Sequence, residues 1–399
     1  MSESNPFETL GYKTFQHKRK VTNLRDRRSA SRRKTDLPIS FPDRRNKDRR
    51  VSERRIIERR IEEVRFDITN KLKKNSERLW DFYLKCNFLY PAKISFLTPV
   101  KDEVLDTIEK LTNCTDNTCK FIFIMDKEEI IGSVMAVQYT DDTWMVQHIV
   151  TSPRHIILTK ELILQILIWM MQNKKMHYFL NYYREQTRWA SKTYQALVDH
   201  IKGPRIAIEH FDYMYMKLSD YVSTQINSNI NISEAEPNKQ DYNYIYNQLI
   251  KTESEIYLNT VGIKHTSCSI KQAEENYSKN AITRIRNYFI ARSDNAIVGF
   301  AFADISSYGI SLSLLFNVFQ IFILDKTCKE ELYRAILNRI NSTLIELNKV
   351  YSIGIINPED RIYLENLGYQ CSRSYSAFVV DRKNEQFAKS YDIINSNRK

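Results

Sequence analysis

The chain has 399 residues, 42% of them hydrophobic and 12% aromatic, a length that suits two domains with extras and a composition too apolar for a disordered chain. No two of its eight glycines lie closer than ten positions, which excludes a GxGxxG dinucleotide loop and a GxxxxGK[ST] P-loop, and its six cysteines and seven histidines form no CxxC and no HExxH. The net charge of +12 is confined to one end: residues 1–74 hold 23 Lys and Arg against 11 Asp and Glu, and the remainder is neutral, the balance of an electrostatic tail on an ordinary body.

From the N-terminus, residues 1–42 read as a basic flexible segment without an apolar signal core, broken by Leu37-Pro38 and Phe41-Pro42. Residues 43–74 read as an arginine-repeat arm with a five-residue period, Asp43-Arg44-Arg45, Asp48-Arg49-Arg50, Glu53-Arg54-Arg55 and Glu58-Arg59-Arg60. With no Pro or Gly before Pro91, a helix can start at Asp43 as N-cap. Such a helix is either a solvated rod laced with Arg-to-Glu pairs four residues apart, or a row of guanidiniums held for phosphates and guanine edges. Eight arginines to one lysine between Asp43 and Arg60 favour the second, because only arginine offers a planar fork.

Two similar stretches follow, in domains predicted at 75–225 and 226–399. Lys120 to Gly132 and Ser133 to Val150 read as three short strands, and Asn287 to Gly299 and Phe300 to Phe316 repeat that pattern 167 positions later. After each come a helix (160–174; 329–348), a strand (177–182; 351–356), a helix (188–200; 360–367) and a final strand (211–218; 375–380). Tyr182, Tyr183 and Arg184 end one predicted strand where α/β sheets usually place ligands, and with Arg154 they form a possible body pocket; core packing of the tyrosines is the other reading. Metal binding has no support in the sequence. The longest apolar run, Ile310 to Leu324, is too short to span a bilayer, so membrane insertion is not expected and reduced cysteines point to the cytoplasm.

The order β-β-β-α-β-α-β, with Ile-Ile-Gly132 or Ile-Val-Gly299 in the second strand and Tyr363-Leu-Glu-Asn-Leu-Gly-Tyr369 near the end, resembles the GNAT acyltransferase fold. The resemblance implies an α/β (α+β) architecture of two GNAT-like mixed-sheet domains behind a basic, partly helical arm, and acetyl-CoA as the cofactor of an active member. Such a member carries a glycine-containing pyrophosphate loop at a helix N-terminus. The corresponding segments, Thr151 to Thr159 and Leu324 to Glu330, contain no glycine, which argues for a pseudoenzyme scaffold. Separately, the RxxxR spacings of Arg45-Arg49, Arg50-Arg54 and Arg55-Arg59, with Asp304-Ile-Ser306-Ser-Tyr-Gly309 as [DN]xSxxG, resemble the motifs of PilZ domains. That resemblance implies a cyclic di-GMP ligand held by Arg44 to Arg60 together with Asp304, Ser306 and Gly309, although Asp304 to Gly309 also reads as a plain turn between strands.

The sequence therefore leads to a bacterial-type signalling protein that binds an acidic ligand, cyclic di-GMP foremost, and passes the signal to a protein partner. An acyl-CoA-dependent N-acyltransferase and a nucleic-acid- or ribosome-associated protein are the alternatives.

Overall fold

The computed structural model describes residues 67–69, 76–114, 118–223 and 229–384. The predicted arginine arm, with Arg44, Arg45, Arg49, Arg50, Arg54, Arg55, Arg59 and Arg60, lies outside the described residues. The arm helix, if extended to residue 74, would include Asp67–Thr69, but these residues form an edge strand, β1, antiparallel to the first strand of the body. The described residues all belong to one compact unit.

The body is mixed α/β and consists of one pattern run twice. The first repeat is β2 (Cys119–Asp126), β3 (Glu129–Gln138), β4 (Thr143–Thr151), α4 (Thr159–Gln172), β5 (Tyr178–Arg184), α5 (Arg188–Ile201) and β6 (Ile206–Lys217), preceded by α1 (Ser76–Lys85), α2 (Pro91–Leu97) and α3 (Lys101–Asn113). The second starts with edge strand β7 (Ile230–Glu234) and the helices α6 (Lys239–Leu249), α7 (Glu255–Thr260) and α8 (Lys271–Lys279). It continues as β8 (Arg284–Ser293), β9 (Ala296–Ser306), β10 (Phe319–Ile323), α9 (Lys329–Glu346), β11 (Tyr351–Ile356), α10 (Arg361–Glu365) and β12 (Gln370–Asp381). Gly132 and Gly299 occupy matching places in β3 and β9. A Cβ on either would stand 3.2 or 3.3 Å from Leu162 of α4 or Ile336 of α9, so each glycine lets a helix lie close on the sheet.

All twelve strands share one sheet, in the order β1-β2-β3-β4-β5-β12-β6-β11-β10-β9-β8-β7. A division at 225/226 follows the repeat along the chain but does not separate the strands in space. The last strand of each repeat crosses to the other: β12 runs antiparallel to β5, β6 runs antiparallel to β11, and the two cross-over strands pair with each other at the centre. One face of the sheet carries a core common to both repeats, from Leu79 and Phe123 to Phe302 and Phe316. The opposite face carries two separate cores, one under α4 and α5 and one under α9 and α10.

Residues Pro153–Gln172 are long and apolar enough to cross a membrane by length and composition alone; in this fold α4 packs Leu162, Ile166 and Met170 against the sheet. The second repeat departs from the predicted pattern in one place. Residues 310–316 are no strand; 307–318 form a buried connection, and the third strand starts only at Phe319. Where the first repeat turns in four residues, the second inserts apolar chain into the shared core. Ile310, Leu312, Leu314 and Phe316 are buried there, and the Ile310 and Ser313 carbonyls accept hydrogen bonds from Gln147 (2.6 Å) and Tyr213 (3.1 Å). An apolar run reads as strand because burial, and not pairing, made it apolar.

Candidate functional site

Asp304, Ser306 and Gly309 are all buried inside the body. Asp304 and Ser306 stand in β9. The Asp304 carboxylate takes a two-pronged contact from Arg286 (Nε to Oδ1 2.6 Å, Nη2 to Oδ2 2.9 Å) and a third bond from Arg284 at 3.1 Å. Burial alone would raise its pKa, but the two guanidiniums hold it below the ordinary carboxylate range. Arg286 also donates to the Val261 carbonyl and Arg284 to that of Tyr139, so the charges tie β8 and β9 to segments of both repeats. Gly309, at φ +108°, has the Val104 carbonyl 2.7 Å from where a Cβ would stand; the position requires glycine for packing. The turn reading fails for Asp304 and Ser306, since the connection begins only at Ser307.

The predicted body pocket is split by the alternation of strand side chains. Tyr182 enters the shared core, where its hydroxyl is buried beside those of Tyr139 and Tyr257. Tyr183 turns to the opposite face and packs on Tyr194, ring centroids 5.0 Å apart. Arg154 lies on the turn between β4 and α4, beside a cavity of about 960 Å³. Its wall has the bases Arg78, Lys85 and Arg154 but also Asp81, Asp126, Glu128 and Glu129, so it presents no net attraction to a pyrophosphate. The turn itself is closed by its own side chains: Ser152 Oγ lies 2.8 Å from His155 Nδ1, and Thr151 and Thr159 bond to each other.

Arg184, the fourth predicted residue, does stand in a charged cluster. It ends β5 opposite Tyr375 of β12. Arg373 lies two residues before Tyr375, just after a bulge at which Ser372 has no partner on β6. The guanidinium carbons of Arg184 and Arg373 lie 4.5 and 5.1 Å from the ring centre of Tyr90. One turn into α2, Lys93 is 6% exposed, with Nζ 3.9 Å from the centre of the Phe88 ring. Burial first, then the positive charges of Arg184 and Arg373, pull the Lys93 amine down to about 7. No carboxylate among the described residues acts on Lys93 or pairs with the two arginines.

A second bulge adds a fourth group. Ser133 pairs with Val150 and Met135 with Gln147, so β4 has two residues opposite Val134, and the first, His148, takes φ 55°. The bulge turns Gln147 and His148 toward the shared core together. His148 Nε2 accepts the Leu312 N–H at 3.2 Å, which places the ring proton on Nδ1; that buried nitrogen has no hydrogen-bond partner. Its ring lies 5.6 Å from that of Phe88, and burial together with the charge of Lys93 pushes its pKa well below the usual histidine value. Beyond Met145 the paired strands β4 and β5 part, and the Asn181 side chain bridges the gap to the Val146 carbonyl at 2.6 Å.

Among the described residues the second repeat has no counterpart to this cluster. β11 is followed by Asn357, which caps the next turn through the Glu359 N–H. At the turn after β10, Asp325 accepts from Thr327 N–H and Oγ1 at 2.9 and 2.7 Å. Sequence reasoning reached Arg184 from its place at a strand end but missed Lys93, Tyr90, Arg373 and His148. The available signal was one lysine inside the apolar stretch Tyr90-Pro-Ala-Lys-Ile-Ser-Phe-Leu97.

No protein-family model matches the chain, and no curated protein does. Solved structures similar in layout include a tandem GNAT protein from the clavulanic acid biosynthesis pathway (TM-score 0.42, 9% identity, 80% of this chain and 99% of that one). A GCN5-related N-acetyltransferase from Sphaerobacter thermophilus has TM-score 0.45, 9% identity and 79% and 96% coverage. A putative acetyltransferase from Pyrococcus horikoshii has TM-score 0.43, 10% identity and 79% and 89% coverage.

Proposed function

We propose that this protein binds a small organic anion, a carboxylate or phosphate compound, at the strand ends of its first repeat, with the second repeat completing the scaffold. The observation that carries this reading is the convergence of Lys93, Arg184 and Arg373 on Tyr90 and Phe88 without a compensating carboxylate among the described residues. Like charges brought together repel one another, and a bound anion relieves that cost. Cyclic di-GMP and acetyl-CoA both belong to this chemical class, so the two ligands suggested by the sequence become test compounds for one site.

Calorimetry of the full chain against cyclic di-GMP, acetyl-CoA, citrate and inorganic phosphate tests the reading. At least one should bind, and Arg184→Ala with Arg373→Ala should weaken it roughly a hundredfold, since each charge-assisted bond contributes about 1.5 to 3 kcal/mol and 1.4 kcal/mol is tenfold in affinity. Equal affinity in the double variant, or binding of none of the four, would overturn the site.

Acyl transfer is the second reading. An amine that is substantially neutral near pH 7 stands beside the place where β4 and β5 part, and such an amine can attack a thioester. Against it, Asn181 fills the gap and the turn after β4 carries no glycine. Thiol release from acetyl-CoA in the presence of the bound anion would establish this reading.

A further inference from the structure

We propose that Lys93 is a nucleophilic amine that condenses with the carbonyl group of an anionic aldehyde or keto acid, whose carboxylate or phosphate is held by Arg184 and Arg373. The proposal rests on the anion-binding reading above and adds a covalent step to it. A lysine that served packing alone would extend its amine to water or to a carboxylate. Lys93 reaches no carboxylate among the described residues: its amine lies over the Phe88 ring in a side chain only 6% exposed, and the charged groups acting on it are two guanidiniums.

That setting favours the chemistry in two ways. Burial and positive neighbours stabilise the neutral amine, the form with a free electron pair. The same guanidiniums offer bidentate donors to an anion, which would bring its carbonyl carbon to the amine. The Lys93 nitrogen attacks that carbon, forming the N–C bond while the carbonyl π pair moves to oxygen and takes up a proton. The resulting carbinolamine loses its hydroxyl as water, with the last amine proton released, and a C=N bond remains. No oxidant or reductant is required. His148, which also borders Phe88, is neutral and has an unpartnered Nδ1–H; it can donate a hydrogen bond to the departing oxygen, while the proton that leaves with that oxygen as water comes from solvent.

The test uses the full chain with glyoxylate and cyanoborohydride, which reduces an imine to a stable secondary amine. Intact mass and peptide mapping should show one adduct, on Lys93, and none at that position in Lys93→Met. Arg184, Arg373 and His148 face Lys93 from β5, β12 and β4. His148 stays neutral over the tested range, so the labelling rate should rise with pH through about 7 as the amine loses its proton. Arg184→Ala with Arg373→Ala should lower the ratio of the glyoxylate to the acetaldehyde labelling rate about tenfold or more, a ratio in which any change in the proportion of neutral amine cancels. Adducts spread over surface lysines with Lys93 not favoured, or equal rates with the two aldehydes in wild type, would overturn the proposal. If calorimetry shows anion binding that depends on Arg184 and Arg373 while no adduct forms on Lys93, the covalent step fails and the binding reading stands.

Discussion

Lys93 makes stability depend on pH in a direction opposite to that of an ion-paired lysine. Its pKa falls from 10.5 to about 7 on folding, so below about pH 7 both states are protonated and the native state bears the cost of a buried charge. Between about 7 and 10.5 the unfolded chain holds a proton that the native one lacks, and stability rises with pH. Lys93→Met removes that cost. It should raise the melting temperature clearly at pH 6, by the equivalent of a few kcal/mol at most, and hardly at all near pH 10.5. Melts of the two proteins at both pH values check this, and a gain of equal size at both would mean that the amine reaches water. Nothing in the local sequence announces this behaviour, because it depends on Arg184 and Arg373, which stand 91 and 280 positions further along.

At the scale of the elements, the periodic signals were sound and the irregular ones were not. Helices α4 and α9 and strand β11 lie within a residue or two of their predicted spans, since apolar spacing and an absence of Pro and Gly suffice to define them. The two bulges that aim His148 and Arg373 follow from cross-strand register, which no single strand encodes. Strands β8 and β9 show the same limit. A DxSxxG match suggested a ligand, whereas Arg284 and Arg286 on β8 pair with Asp304 on β9 inside the core. Asp304→Asn should therefore destabilise the body by about 3 to 5 kcal/mol, as expected when one partner of a buried ion pair is removed. Chemical denaturation measures it; a loss below about 1 kcal/mol would show that water reaches the two arginines.

For the whole molecule, internal repetition was visible in the sequence, whereas the exchange of last strands was not. Each repeat contains every strand needed for a complete sheet, and the sequence has no local mark for which of two similar final strands sits beside β5. The exchange makes the body a single cooperative unit. Residues 60–399 alone should show one unfolding transition, and fragments 60–225 and 226–399 should each fail to fold in isolation, because each would lack the strand beside β5 or β11. Coexpressed, the two fragments should assemble into a one-to-one complex. A cooperative melt of either fragment by itself would contradict this.

The same exchange has a consequence during protein synthesis. The pairing of β5 with β12 joins residues as far apart as Tyr178 and Asp381, 203 positions along the chain. At ribosomal rates, roughly ten to forty seconds separate the emergence of these two segments. Throughout that interval the nascent first repeat presents the open edge of β5, and β6, already synthesised, is the nearest strand able to occupy it. The mature arrangement forms only when β12 enters between them, so the last of the described strands to leave the ribosome closes the sheet and parts any earlier pairing of β6 with β5, a pairing too incomplete to fold the first repeat by itself.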